Sequence, residues 1–186
     1  KMQISPLGLN EFPKGPIAHM TQGVTRLAFS PQENEAFKWA EEKLEKFGYE
    51  CKNDAFLNLH AIDPRNGRRR ILVGTHLDTV KNGGKFDGTV GLVSFLEVLH
   101  LREEDMKKFF LPVDFVIFRA EESTMFKEAL LGSKVATGYY DLERLRDIQF
   151  GRDEELLDAM IHFGYLQKVP PSEPVPSINL FDILFR

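Results

Sequence analysis

The stretch from Arg70 to Ala120 constrains this chain most. It holds two short apolar segments, Ile71-Leu72-Val73 within Arg70–Thr75 and then Val113–Ala120, separated by a glycine-rich loop and a long apolar run over 89–101. Short apolar segments bounded by turn residues read as buried strands. Val113, Phe115 and Ile117 share one face of the second strand, and Val116 and Phe118 share the other. The run over 89–101 is long enough for a buried helix. A strand–helix–strand–helix order argues for an α/β fold, a mixed sheet flanked by helices.

The flanking sequence adds elements on either side. Ser30-Pro31-Gln32-Glu33 has the capping-box form, with proline at the first helical position. Phe37, Ala40, Leu44 and Phe47 follow at helical spacing, and Gly48 ends the helix as a left-handed cap. Strands are expected over Tyr49–Lys52 and Phe56–Ala61, with a turn at Asp63-Pro64-Arg65-Asn66-Gly67. Further helices are expected over 131–138 and 153–163. Residues 1–23 read as an N-terminal arm or loop, 169–177 as a proline-rich linker, and 178–186 as the start of another strand. An apolar end without a turn or cap suggests part of a longer protein.

Charge narrows the function classes. Lys plus Arg number 24 and Asp plus Glu 28, a net charge of 24 − 28 = −4. Such a chain is no general binder of nucleic acid or anionic membrane. No apolar run approaches the ~20 residues of a membrane span, and no apolar signal core stands at the N-terminus. The single cysteine, Cys51, fits a reducing compartment. The expectation is a cytoplasmic protein with no nucleic-acid or membrane partner.

The residues that could carry chemistry gather at the ends of the two strands. His76 and Asp78 close the first strand, two apart and on one side of an extended backbone. That spacing lets a carboxylate hold a metal-binding imidazole in one tautomer. The loop then brings Asp87, next to Gly88, to the start of the helix. Glu121 and Glu122 follow the second strand, and adjacent carboxylates there are costly unless something positive lies between them. One could coordinate a metal while the other faces a bound water and shuttles its proton. Histidine, aspartate and glutamate ligands suit zinc, manganese or cobalt. Taken singly, His76 reads as a rim histidine and Glu121-Glu122 as a solvated strand end. Their convergence on one sheet edge favours a site.

Several separate stretches, in order, carry a resemblance. They are Gly23–Ser30, Gly74-Thr75-His76-Leu77-Asp78-Thr79-Val80, Gly83–Gly88, Glu121-Glu122 and Leu131-Gly132-Ser133. Together they resemble the N-carbamoyl-L-amino-acid hydrolases, with the allantoate amidohydrolases and β-ureidopropionases, over the first part of such enzymes. The resemblance implies that 1–186 is a partial catalytic domain of the aminopeptidase-like metallohydrolase fold with two divalent metal ions (Zn, Mn or Co). It implies hydrolysis of a linear C–N bond in a small ureido or amide substrate through a metal-bridged hydroxide. His76 would bind one metal, Asp87 would bridge, and Glu122 would bind the second. Glu121 would be the general base, and Asp78 would orient His76. The family has two further histidine ligands and a dimerisation domain that are absent from this chain, and its full-length members would be homodimers. The isolated chain is therefore expected to be inactive. A peptidase or N-acyl-amino-acid deacylase with the same core, or a truncated non-catalytic fragment, are the alternatives. Two departures stand out. Ser123-Thr124-Met125 replaces the family's Gly-Ser-Arg, and Leu57-Asn58 replaces Gly-Asn, which would strain Leu57 if that position needs a positive φ.

Overall fold

A computed structural model describes residues 23–140, except 55, 125 and 127. The expected arm over 1–23 (save Gly23), the helix over 153–163, the linker over 169–177 and the strand over 178–186 lie outside the described residues. Eight elements are described: α1 (Pro31–Lys46), β1 (Glu50–Asn53), β2 (Leu59–Ile62), β3 (Ile71–His76), α2 (Thr89–Leu101), α3 (Glu103–Lys108), β4 (Val113–Phe118) and α4 (Leu131–Ala136). The four strands form one mixed sheet in the order β1-β2-β4-β3. β1–β2 and β2–β4 are antiparallel, and β3–β4 is parallel. The parallel pair is the one joined through α2, as a crossover connection requires. Its register pairs His76 with Phe118, so both strands end at the same level.

Local chemistry explains the elements. Ser30 caps α1, its hydroxyl accepting from the Glu33 N–H at 3.2 Å. Gly48 takes φ 84 just past the helix end. The reciprocal half of the capping box does not form in the expected way. The Glu33 carboxylate accepts from Phe29 N–H and pairs with Arg119 at 2.6 Å instead. α3 was not expected from the sequence, yet Glu103, Glu104 and Asp105 in its first turn and Lys107 and Lys108 in its last suit the helix dipole.

The core lies between α1, α2 and one face of the sheet. Ala36, Phe37, Ala40 and Leu44 of α1 and Leu92, Phe95, Leu96 and Leu99 of α2 pack with Leu59, Ala61, Phe115 and Ile117 of the strands. The rings of Phe95 and Phe115 stack with centroids 4.3 Å apart. One expectation is corrected here. β3 is not buried on both faces, because Leu72 is 60% and Val73 38% exposed. Among the described residues β3 pairs with β4 alone and is an edge strand, whereas β4 lies between two neighbours and is buried. Short apolar composition does not distinguish those positions. No helix among the described residues is long and apolar enough to cross a membrane.

Candidate metal centre

β3 and the loop after it bring two side chains together with one from beyond β4. His76, Asp87 and Glu122 each offer a ligand atom, and these atoms lie within 4.8 Å of one another. His76 is the last residue of β3, and its Nε2 is 3.6 Å from Asp87 Oδ1. The loop can pass this close because position 88 is glycine. A Cβ there would stand 2.3 Å from the His76 carbonyl oxygen and 2.9 Å from its Nδ1. Gly88 also takes φ 65 as it starts α2.

The other ring nitrogen faces inward. His76 Nδ1 is 3.0 Å from the Asp78 carbonyl oxygen and 3.5 Å from Asp78 Oδ1. Asp78 is buried, and its carboxylate does a second job. Its two oxygens accept from the backbone N–H groups of Glu121 at 3.2 Å and Glu122 at 2.9 Å. One carboxylate thus ties the end of β3 to the chain leaving β4. Ala120, between β4 and the glutamates, takes φ 54, which turns the chain out of its extended path.

The two glutamates then part company. Glu122 joins His76 and Asp87. Both Glu121 oxygens bond to Ser133, Oε1 accepting from its N–H at 2.8 Å and Oε2 from its hydroxyl at 2.9 Å. All five residues singled out by sequence therefore lie in one neighbourhood, three as a trio and two beside it.

Electrostatics fit a cation site. Burial raises the Glu122 pKa, and the facing Asp87 carboxylate raises it further. Burial also lifts Glu121, against the two bonds from Ser133. Burial disfavours the charged His76 ring, but Asp78 and Asp87 outweigh it and lift its pKa to about 9. One imidazole nitrogen and two carboxylates, facing one another at coordinating distance and crowded with negative charge, fit a divalent cation of the zinc, manganese or cobalt type.

Three residues around the site had no assigned role. Asn58 accepts from Arg119 N–H at 2.9 Å and donates to the Gly132 carbonyl at 3.1 Å and to Asp54 at 2.8 Å. Arg119 stacks its guanidinium 3.9 Å from the Phe37 ring centroid and pairs with the buried Glu33. Ser133 holds Glu121. Ser133 lay inside a family-like stretch and Asn58 in the Leu57-Asn58 departure from the family pattern, but spacing along the chain gave them no partner. The expected strain at Leu57 is present, with φ 64. Leu57 also accepts from Arg119 Nε at 2.9 Å through its carbonyl.

Known proteins resemble this chain in sequence and fold. Peptidase family M28 matches residues 58–149. An N-carbamoyl-L-amino-acid amidohydrolase of Pseudomonas sp. (strain NS671) is 32% identical over 73% of this chain and 34% of its own length. The allantoate amidohydrolase of Escherichia coli (strain K12) is 28% identical over 86% of this chain and 39% of its own. A hydantoinase/carbamoylase family amidase from Burkholderia ambifaria superposes with a TM-score of 0.68 at 29% identity, over 84% of this chain and 38% of that one. The chain spans about a third of the length of the curated relatives it matches. Its mixed sheet, its helices and its ordered sequence stretches together show that it belongs to the family of N-carbamoyl-L-amino-acid and allantoate amidohydrolases.

Proposed function

We propose that this chain is the part of a metal-dependent amidohydrolase that carries His76, Asp87 and Glu122 as ligands and Glu121 as general base. The reaction is hydrolysis of the linear C–N bond of an N-carbamoyl-L-amino acid, allantoate or a related ureido acid. The convergence of the three ligand atoms within 4.8 Å, with a fourth carboxylate held just outside them, carries the reading. A divalent cation bound there supplies a Lewis acid and lowers the pKa of water. Two such ions, zinc, manganese or cobalt, are expected from the family, with further ligands from outside this chain.

The residues divide the work. His76 offers Nε2 while Asp78 holds the other side of the ring and fixes its orientation. Glu121 takes a proton from the attacking water and returns it to the leaving nitrogen. The Asp78 bonds to Glu121 and Glu122 N–H keep base and ligand in fixed relation.

The match to a peptidase family supports a second reading, a peptidase or N-acyl-amino-acid deacylase built on the same residues. Turnover assays of the full-length protein with carbamoyl amino acids, allantoate, acetylated amino acids and dipeptides separate the two. Turnover of dipeptides alone would sink the ureido-acid reading.

A further inference from the structure

The proposed function leaves one arrangement unexplained. Two adjacent glutamates leave the same strand beside one cation site, and an untethered carboxylate is drawn to a divalent cation. Something has to keep Glu121 apart from the trio if it is to act as base rather than ligand. Its carboxyl group has rotatable bonds of its own, so the backbone alone cannot.

We propose that Ser133 is the positioning residue for Glu121, holding both its carboxylate oxygens and fixing it outside the His76–Asp87–Glu122 set; this rests on the metal-centre reading above. Ser133 donates its N–H to Oε1 at 2.8 Å and its hydroxyl to Oε2 at 2.9 Å. The hydroxyl has one proton, and the Leu130 carbonyl, at 3.3 Å, is the longer of its two acceptors. Two donors from one residue fix the plane of the carboxylate as well as its place.

Ser133 can hold Glu121 because Ser133 is itself anchored. The three preceding residues donate their N–H groups back to the chain that carries Glu121. Leu130 bonds to the Glu121 carbonyl at 2.8 Å, Leu131 to Ala120 at 3.0 Å and Gly132 to Arg119 at 3.0 Å. The fourth N–H in this row, from Ser133, has the Glu121 side chain as its partner. Asn58 locks the two segments together, accepting from Arg119 N–H and donating to the Gly132 carbonyl. The approach is so close that a Cβ at Gly132 would lie 2.3 Å from the Arg119 carbonyl oxygen and 2.5 Å from Asn58 Oδ1. Leu130 reaches this geometry at φ 65, a conformation that disfavours branched and bulky residues. The backbone accepts that strain while presenting Ser133 to Glu121.

The test reads the tether first without metal or substrate. The 186-residue chain is prepared with carboxyl-13C glutamate, and the Glu121 signal is assigned by Glu121→Gln. In Ser133→Ala the Glu121 signal moves, while backbone amide signals of α1 and α2 stay in place. In Ser133→Thr, which keeps the hydroxyl, it stays where the unaltered chain has it. Zinc is then added. In the unaltered chain and in Ser133→Thr the Glu122 signal responds and Glu121 does not; in Ser133→Ala both respond. In the full-length enzyme Ser133→Ala lowers kcat roughly 10- to 100-fold, the scale of a misplaced base, with KM within about twofold, and Ser133→Thr restores most of it. The same Glu121 signal in the unaltered chain and Ser133→Ala would overturn the proposal. So would a Glu121 response to zinc in the unaltered chain. A metal-free displacement with no zinc response at any carboxylate of the full-length protein would support the tether and strike down the metal-centre reading, so the two failures are distinguishable.

Discussion

At the scale of single residues, neighbours in sequence have different partners in space. Glu121 and Glu122 differ only in what surrounds them, one bonded to Ser133 and the other facing Asp87 and His76. Glu121→Gln should lower kcat of the full-length enzyme by about 10²–10⁴, the usual contribution of a general base. Zinc affinity, measured by calorimetry on the same protein, should barely change. Glu122→Gln should weaken zinc affinity instead. An equal loss of affinity in both variants would remove the distinction between base and ligand. Arg119 is a second instance. It neutralises Glu33, whose side chain is fully buried, and covers the Phe37 ring. Arg119→Met leaves a buried carboxylate without its partner and should cost about 3–5 kcal/mol in urea denaturation. Adding Glu33→Gln should recover part of that loss. No recovery would mean that packing against Phe37, not charge, is what Arg119 supplies.

At the scale of elements, the loop between β3 and α2 sets the geometry of the site. Gly88 lies against His76, and a Cβ has no room there. Gly88→Ala should displace the imidazole or the loop and weaken zinc affinity at least tenfold by titration, with the far-UV circular dichroism of the sheet retained. Unchanged affinity would show that the loop absorbs the methyl group without disturbing His76. α1 and α2 anchor this arrangement from the core side. Leu96 is fully buried between the helices and the sheet, and Leu96→Ala should cost about 2–5 kcal/mol in the same denaturation. The helices were well marked in sequence because their signals are local. A serine cap, a proline, a periodic apolar stripe and a terminal glycine set α1 to within a residue or two of Pro31–Lys46. Among the described residues β3 lies at an edge and is exposed, which its sequence does not mark, because an edge strand and a central strand can share the same apolar composition. Which one results depends on neighbours far along the chain.

At the scale of the whole molecule, the end of the sheet away from the candidate site is held by ion pairs. Asp63 accepts from Arg65 and from Val113 N–H, and Arg70 pairs with Asp114. Burial opposes the charge on Asp63, but the bonds from Arg65 and Val113 outweigh it and hold its pKa at about 2. A carboxyl lowered from 3.8 on folding adds stability that is present above pH 4 and is lost as the pH falls through about 2. Urea midpoints measured from pH 5 down to pH 2 should therefore fall, and Asp63→Asn should flatten that limb while lowering the plateau. An unchanged slope would mean that other carboxylates carry the acid sensitivity.

The α/β class, the limits of α1 and α2, and the residues that could carry chemistry are all legible along the chain. Those properties follow from local rules: helical and strand periodicity, capping chemistry, glycine at tight turns, and acidic side chains at strand ends. Tertiary structure alone decided which of those residues meet. The parallel register of β3 against β4 sets His76 beside Phe118, which brings Asp78 under the two glutamates and Glu122 to His76 and Asp87. The links from Asn58 to Arg119 and from Ser133 to Glu121 span 61 and 12 residues along the chain. Such bonds depend on how separate segments pack, and no periodicity within either segment encodes them.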